Sequence, residues 1–354
     1  MKFQTFLAAS VLSCGVSGDA TRQLRVEREL ATVQLGQSCY DEPTWYWWWG
    51  VSHDCAVGSC IDKYCKRETG TNFNKNLLED YIKLAIWIYD EEGGDRPHED
   101  EGVPENYERL AGHPGYAIFA TPDGECHVVY RATFTTEDIA TDFQSQFQGR
   151  SDPTGTGIFV NNAFWDHYQE MAAEMEQDIE QAKGTGKCTK NWSFFGHSLG
   201  GAIVDMAVVS LAHSQGRPLH GKIGSVIRAG NPRSFGDSGS TCTKFNSLAN
   251  GNVERYARVV SDSRYKDFDA VTAVPFTYHH CSKESYLLFS SDAQGRDNIH
   301  VEADVGSDIP NDDHNLIEDF LQWIGTIIFN QDSFHNPQGY LHIAQNGKVY
   351  TKKA

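Results

Sequence analysis

The segment Gly196-His197-Ser198-Leu199-Gly200-Gly201 constrains this chain more than any other. It lies between a run of strand formers at 192–195 and a stretch at 199–213 rich in Ala, Val, Ile and Met. Strand, tight bend and helix in immediate succession require small residues two positions either side of the bend, which Gly196 and Gly200 supply, while Gly201 lets the helix begin close to the neighbouring strand. Further apolar runs at 226–229 and 256–260 read as buried strands with helical stretches between some of them. That alternation is the signature of an α/β fold with a mostly parallel sheet flanked by helices.

Other elements follow from periodicity. Apolar residues between Leu77 and Tyr89 recur at helical spacing, and 164–182 carries Phe164, Tyr168, Met171, Met175, Ile179 and Ala182 on one helical face. Residues 115–120 and 127–133 read as strands joined through the turn residues Pro122-Asp123-Gly124. A last amphipathic helix is expected at 315–328, and a hairpin at 340–352 closed by Asn346-Gly347.

The N-terminal part has a different character. Lys2, an apolar run at 6–16 and the small exit Val16-Ser17-Gly18 read as a secretory signal over 1–18. Residues 19–38 are a charged linker or propeptide, and 39–66 form a module dense in cysteine and tryptophan. Beyond Cys14 there are eight cysteines: Cys39, Cys55, Cys60, Cys65, Cys126, Cys188, Cys242 and Cys281. An even number in an exported chain implies disulfides, without giving their pairing. Trp45, Trp47, Trp48 and Trp49 suit either packing against the main domain or a platform for a lipid surface or polysaccharide. The main domain is expected over 67–330, with 331–354 as a tail. A formal charge of −18 argues against nucleic-acid and anionic-membrane partners.

Chemistry centres on Ser198. A serine hydroxyl exposed on such a bend is a nucleophile only when a base takes its proton. In α/β-hydrolases the partners follow in the order Ser, Asp or Glu, then His. Histidines after the bend are His213, His220, His279, His280, His300, His314, His335 and His342. His314 is favoured because it sits in a polar loop directly before the expected last helix, with His300 second. The acid should follow the strand ending at Val260, where Asp262, Asp267 and Asp269 are all candidates.

Several motifs in one order resemble the fungal-type (class 3) lipase family over about 75–325. They are Val129-Tyr130-Arg131-Ala132-Thr133, the helix entry at 160–168, the bend at 196–201, Gly230-Asn231-Pro232-Arg233, the 269–275 segment and Asp313-His314. The resemblance implies an α/β-hydrolase fold with Asp269 as the acid and His314 as the base. It makes His280 a structural histidine and places oxyanion donors at Thr133 and the Leu199 amide. It further implies a lid after Thr133, with Phe134, Ile139 and Phe143 on it. Ala132 departs from the family's usual glycine, which bears on acyl size.

The expected activity is therefore that of a secreted triacylglycerol lipase working through an acyl-enzyme, without metal or organic cofactor. A feruloyl or other carbohydrate esterase, or a phospholipase A1, is the alternative on the same fold. A non-catalytic lipid- or polysaccharide-binding protein is the alternative of another class. Oligomeric state is not readable.

Overall fold

Five parallel strands form the centre of the protein in a computed structural model. They are β5 (Cys126–Tyr130), β8 (Trp192–His197), β9 (Ile223–Ala229), β10 (Val253–Val260) and β11 (Glu284–Ser290), hydrogen-bonded in that order. The structure describes residues 59–61, 64–68, 75–91, 103–131, 149–236, 239–260, 269–273, 275, 278–290, 299–303, 335 and 337–351. Beside β5 the antiparallel strands β4 (Tyr116–Ala120) and β3 (Glu108–His113) complete one edge. Beyond β11 comes antiparallel β12 (His300–Ala303), with β13 (Lys348–Thr351) parallel to β12. A two-stranded pair, β6 (Arg150–Ser151) and β7 (Val160–Asn161), stands apart from this sheet.

The chain divides into two compact units, Met1–Arg67 with Lys353–Ala354, and Glu68–Lys352. Of the first, the structure describes the hairpin β1 (Ser59–Ile61) and β2 (Tyr64–Glu68), which ends at the boundary. Everything below concerns the second unit.

Helices cover both faces of the sheet. On one side α1 (Lys75–Glu91) buries Leu78, Tyr81, Ile82, Ala85 and Ile88, which recur every three to four residues. They share a core with α5 (Pro337–Asn346), which contributes Tyr340, Ile343 and Ala344. On the other side lie α2 (Asn162–Gly184), α3 (Leu199–Ala212) and α4 (Ser240–Leu248). Asn161 caps α2, its side-chain oxygen accepting from the Ala163 amide at 2.9 Å. Every residue of α3 is buried, which fits a composition of small and apolar residues broken only by Asp205 and Ser210. Among the described residues, the disulfides Cys126–Cys188 and Cys242–Cys281 tie β5 to the loop after α2 and α4 to the segment before β11.

The tail departs from the sequence reading. In place of a hairpin at 340–352 there is a helix followed by a strand. Pro337 opens the helix, where its missing N–H costs nothing. Tyr340, Ile343 and Ala344 are apolar at helical spacing and are buried. Asn346-Gly347 ends α5 instead of turning a hairpin, the Gly347 amide donating to the Ile343 carbonyl at 2.7 Å. Residues 337–351 are thus part of the second unit. The expected strand at 127–133 is shorter, ending at Tyr130. The signal at 1–18, the linker at 19–38, the tryptophans, the lid with Phe134, Ile139 and Phe143, and the helix at 315–328 lie outside the described residues.

Candidate active site

Ser198 stands between the end of β8 and the start of α3 with φ 56° and ψ −134°, a conformation that non-glycine residues rarely adopt. Neighbouring groups hold it there. The Ser198 amide donates to the Ala229 carbonyl at 2.9 Å, and the Gly201 amide donates to the Ser198 carbonyl at 2.9 Å. The glycines are explained by contact. A Cβ on Gly196 would lie 2.2 Å from the Gly200 carbonyl oxygen, and one on Gly200 would lie 2.0 Å from that of Arg131. A Cβ on Gly201 would lie 2.5 Å from that of Asn231. Strand, bend, helix and the adjoining Gly230-Asn231 loop therefore pack at distances that admit no side chain.

Asp269 follows β10 and is fully buried. Its Oδ1 accepts from the Val271 amide at 3.1 Å, and its Oδ2 accepts from the Tyr340 hydroxyl at 2.6 Å. The Tyr340 hydroxyl accepts in turn from the Arg258 amide at 3.1 Å. Of the three sequence candidates for the acid, Asp262 and Asp267 lie outside the described residues.

The imidazole facing the serine is that of His335. Its Nε2 is 2.6 Å from Ser198 Oγ and its Nδ1 is 2.7 Å from Asp269 Oδ2. A carboxylate only accepts, so Nδ1 carries the hydrogen and Nε2 is free to accept from the serine hydroxyl. The structure thus gives to His335 the place expected for His314, which lies outside the described residues. His335 lies two positions before Pro337, the first residue of α5, and Tyr340 on the first turns of that helix fastens the same Asp269 oxygen. A histidine just ahead of a proline-led amphipathic helix was the available signal. The hairpin reading of the tail concealed it.

His280 is buried and bridges two loops. Its Nε2 lies 2.7 Å from the Thr272 carbonyl and its Nδ1 lies 3.4 Å from Asn231 Nδ2, so it joins the Asp269 loop to the Gly230-Asn231 loop. Burial, reinforced by Arg255, holds its pKa well below the usual value, so the ring is neutral. Glu284 bonds to Tyr286 at 2.7 Å. His197 is buried and stacks on the His335 ring at 4.9 Å and 28°, and burial pushes its pKa well down. A neutral ring against the face of His335 adds no charge beside that imidazole.

Leu199 begins α3, where backbone amides have no intrahelical partner and the helix dipole favours negative charge. Thr133 lies outside the described residues. The chain can be followed to Arg131, whose Nε donates to the Pro114 carbonyl at 2.8 Å. A cavity of about 360 Å³ opens beside this point, lined by Tyr130, Arg131, His167, Met171, Leu199 and Gly200 among others. Among the described residues there is no group of three side chains suited to hold a metal.

A mostly parallel sheet with a strained serine between strand and helix defines an α/β-hydrolase. Residues 127–278 match the family model described as lipase (class 3). Among solved structures the chain is similar to lipase II from Rhizopus niveus, at 16% identity with a TM-score of 0.50, covering 69% of this chain and 89% of that one. It is also similar to a crystal structure of a fungal lipase, at 15% identity with a TM-score of 0.51, covering 79% of this chain and 100% of that one. At such identities the likeness is one of fold. No curated protein matches.

Proposed function

We propose that this protein hydrolyses carboxylic esters of lipids through an acyl-enzyme, with Ser198 as nucleophile, His335 as general base and Asp269 as its orienting acid. The observation that carries this reading is the hydrogen-bonded chain from Ser198 Oγ through both nitrogens of His335 to Asp269. In the first half-reaction His335 Nε2 accepts the hydroxyl proton as Oγ attacks the ester carbonyl. The imidazolium then protonates the departing alcohol. In the second, His335 takes a proton from water, which attacks the acyl-enzyme and frees the acid. Asp269 keeps the imidazole in the needed tautomer and stabilises its cation. The Leu199 amide and Thr133 are the proposed oxyanion donors, each worth about 3 kcal/mol in the transition state.

Triacylglycerol is the proposed substrate class, because solved structures of similar fold bear lipase titles and the family model is that of lipases. The two disulfides support folding in an oxidising compartment and so export. A panel of emulsified triglyceride, phospholipid and feruloyl ester, with Ser198→Ala as the blank, tests the reading. Hydrolysis of triglyceride that vanishes in the variant is the expected result. Turnover of the feruloyl ester alone would replace the lipase reading with a carbohydrate esterase. Failure of a fluorophosphonate to label Ser198 would remove the enzyme reading altogether.

A further inference from the structure

Two arginines stand side by side beneath the candidate site. Arg228 of β9 and Arg255 of β10 are register partners in a parallel pair, so their side chains leave the same face of the sheet. Both are buried, at 0% and 2% exposure. Their surroundings differ. Arg228 Nη1 donates to both carboxylate oxygens of Asp205, at 3.0 and 3.1 Å, and its Nη2 donates to the Cys281 carbonyl. Arg255 Nε and Nη2 are buried and meet no acceptor, and Arg228 Nε meets none either.

A guanidinium stays charged in proteins, and burying one without a partner is among the costliest defects a fold can carry. The described residues offer no remedy. Their fully buried carboxylates are Asp205 and Asp269. Asp205 is occupied by Arg228, and Asp269 by His335, Tyr340 and the Val271 amide. Tyr340 and Asp269 favour the charged form of Arg255, but the repulsion of the neighbouring arginines ranks above them. Burial first, then the charges of Arg233 and Arg228, press the Arg255 pKa down to about 9. His280, close enough to feel all three arginines, is held neutral. A buried donor without an acceptor calls for an atom that protein side chains do not supply.

We propose that Arg255 holds a small monovalent inorganic anion, of the halide kind, at its Nε and Nη2 on the sheet face it shares with Arg228. One negative charge matches the one guanidinium left unpaired beside the Asp205–Arg228 pair. Small size follows from the burial of every atom involved. Water would satisfy the hydrogen-bonding need and leave the charge uncompensated. The site is separate from the ester chemistry and serves the stability of the parallel sheet on which that chemistry rests.

Thermal unfolding at constant ionic strength tests it, with sodium gluconate replaced stepwise by chloride or bromide. The wild-type melting temperature should rise by roughly 2–6 °C and then saturate, as expected for an ion bound by the folded state alone. Arg255→Met, similar in volume and uncharged, should show no response. A flat wild-type curve, or an equal response in the variant, overturns the proposal. Crystals grown in bromide decide the matter even if the variant does not fold. An anomalous peak within hydrogen-bond reach of the Arg255 guanidinium supports it, whereas water there, or bromide only on the surface, refutes it.

Discussion

His335 Nε2 meets Ser198 Oγ at 2.6 Å across 137 residues of chain. The contact depends on where α5 docks, because His335 is held just ahead of that helix while Tyr340 within it grips Asp269. Changing His335→Ala should lower kcat/KM on any ester by roughly 10⁴-fold or more, with folding intact. His314→Ala should retain most of the activity. Steady-state assays of both variants check this, and the opposite ranking would return the base to His314.

Tyr340 is the second clamp on the acid. Tyr340→Phe keeps the ring and removes the hydroxyl that donates to Asp269 Oδ2 and accepts from the Arg258 amide. The expected cost is about 1–3 kcal/mol of stability, since a buried carboxylate loses a donor and a buried amide loses its acceptor. Activity should fall by roughly tenfold, chiefly in kcat. Denaturant titration and ester kinetics on the same preparation separate the two effects.

The bend tolerates no added carbon. Gly200→Ala would drive a methyl group to within 2.0 Å of the Arg131 carbonyl oxygen, so backbone at the end of β5 must move. A loss of about 3 kcal/mol or more and near-complete loss of activity are expected. At Gly184, where nothing lies within 4 Å of the added Cβ, alanine should leave activity unchanged. Comparing melting temperatures and rates of the two variants provides the measurement.

Acid should unfold the protein partly through its buried histidines. Burial lowers His127 from 6.5 to about 4, and also holds His197 and His280 well below their usual value. The unfolded chain therefore binds protons that the native state refuses. Stability is full above pH 6.5 and falls as pH drops below it, by up to about 1.4 kcal/mol per pH unit for each such ring. For His127 the loss levels off below about pH 4. Urea titrations between pH 7.5 and 4.5 should show this slope, reduced by about one proton in His127→Gln.

Each of the two disulfides among the described residues closes a long loop, with separations of 62 residues for Cys126–Cys188 and 39 for Cys242–Cys281. Reduction should cost about 4 kcal/mol per bridge by loop-closure entropy. Melting curves with and without reductant check it, and replacing each pair by alanines apportions the loss.

Much of this site was legible in the linear chain. Ser198 announced itself because a bend this tight demands Gly196 and Gly200, and that demand is local. Helix α2 was readable because its buried residues obey a single period over its whole length. Asp269 was less so. Composition around 261–269 left three aspartates equivalent, and burial beneath Tyr340 with a bond to the Val271 amide is what distinguishes the one the structure describes. The tail was misread because Asn346-Gly347 serves equally well to turn a hairpin and to end a helix.

The sequence by itself determined a strained serine on a strand–helix bend and an alternating α/β sheet, because these rest on sterics and periodicity within a few residues. Only the tertiary structure decided which imidazole reaches that serine. Chain order leaves several late histidines eligible, and the choice falls to the helix whose apolar face docks against α1 and so sets His335 over Ser198.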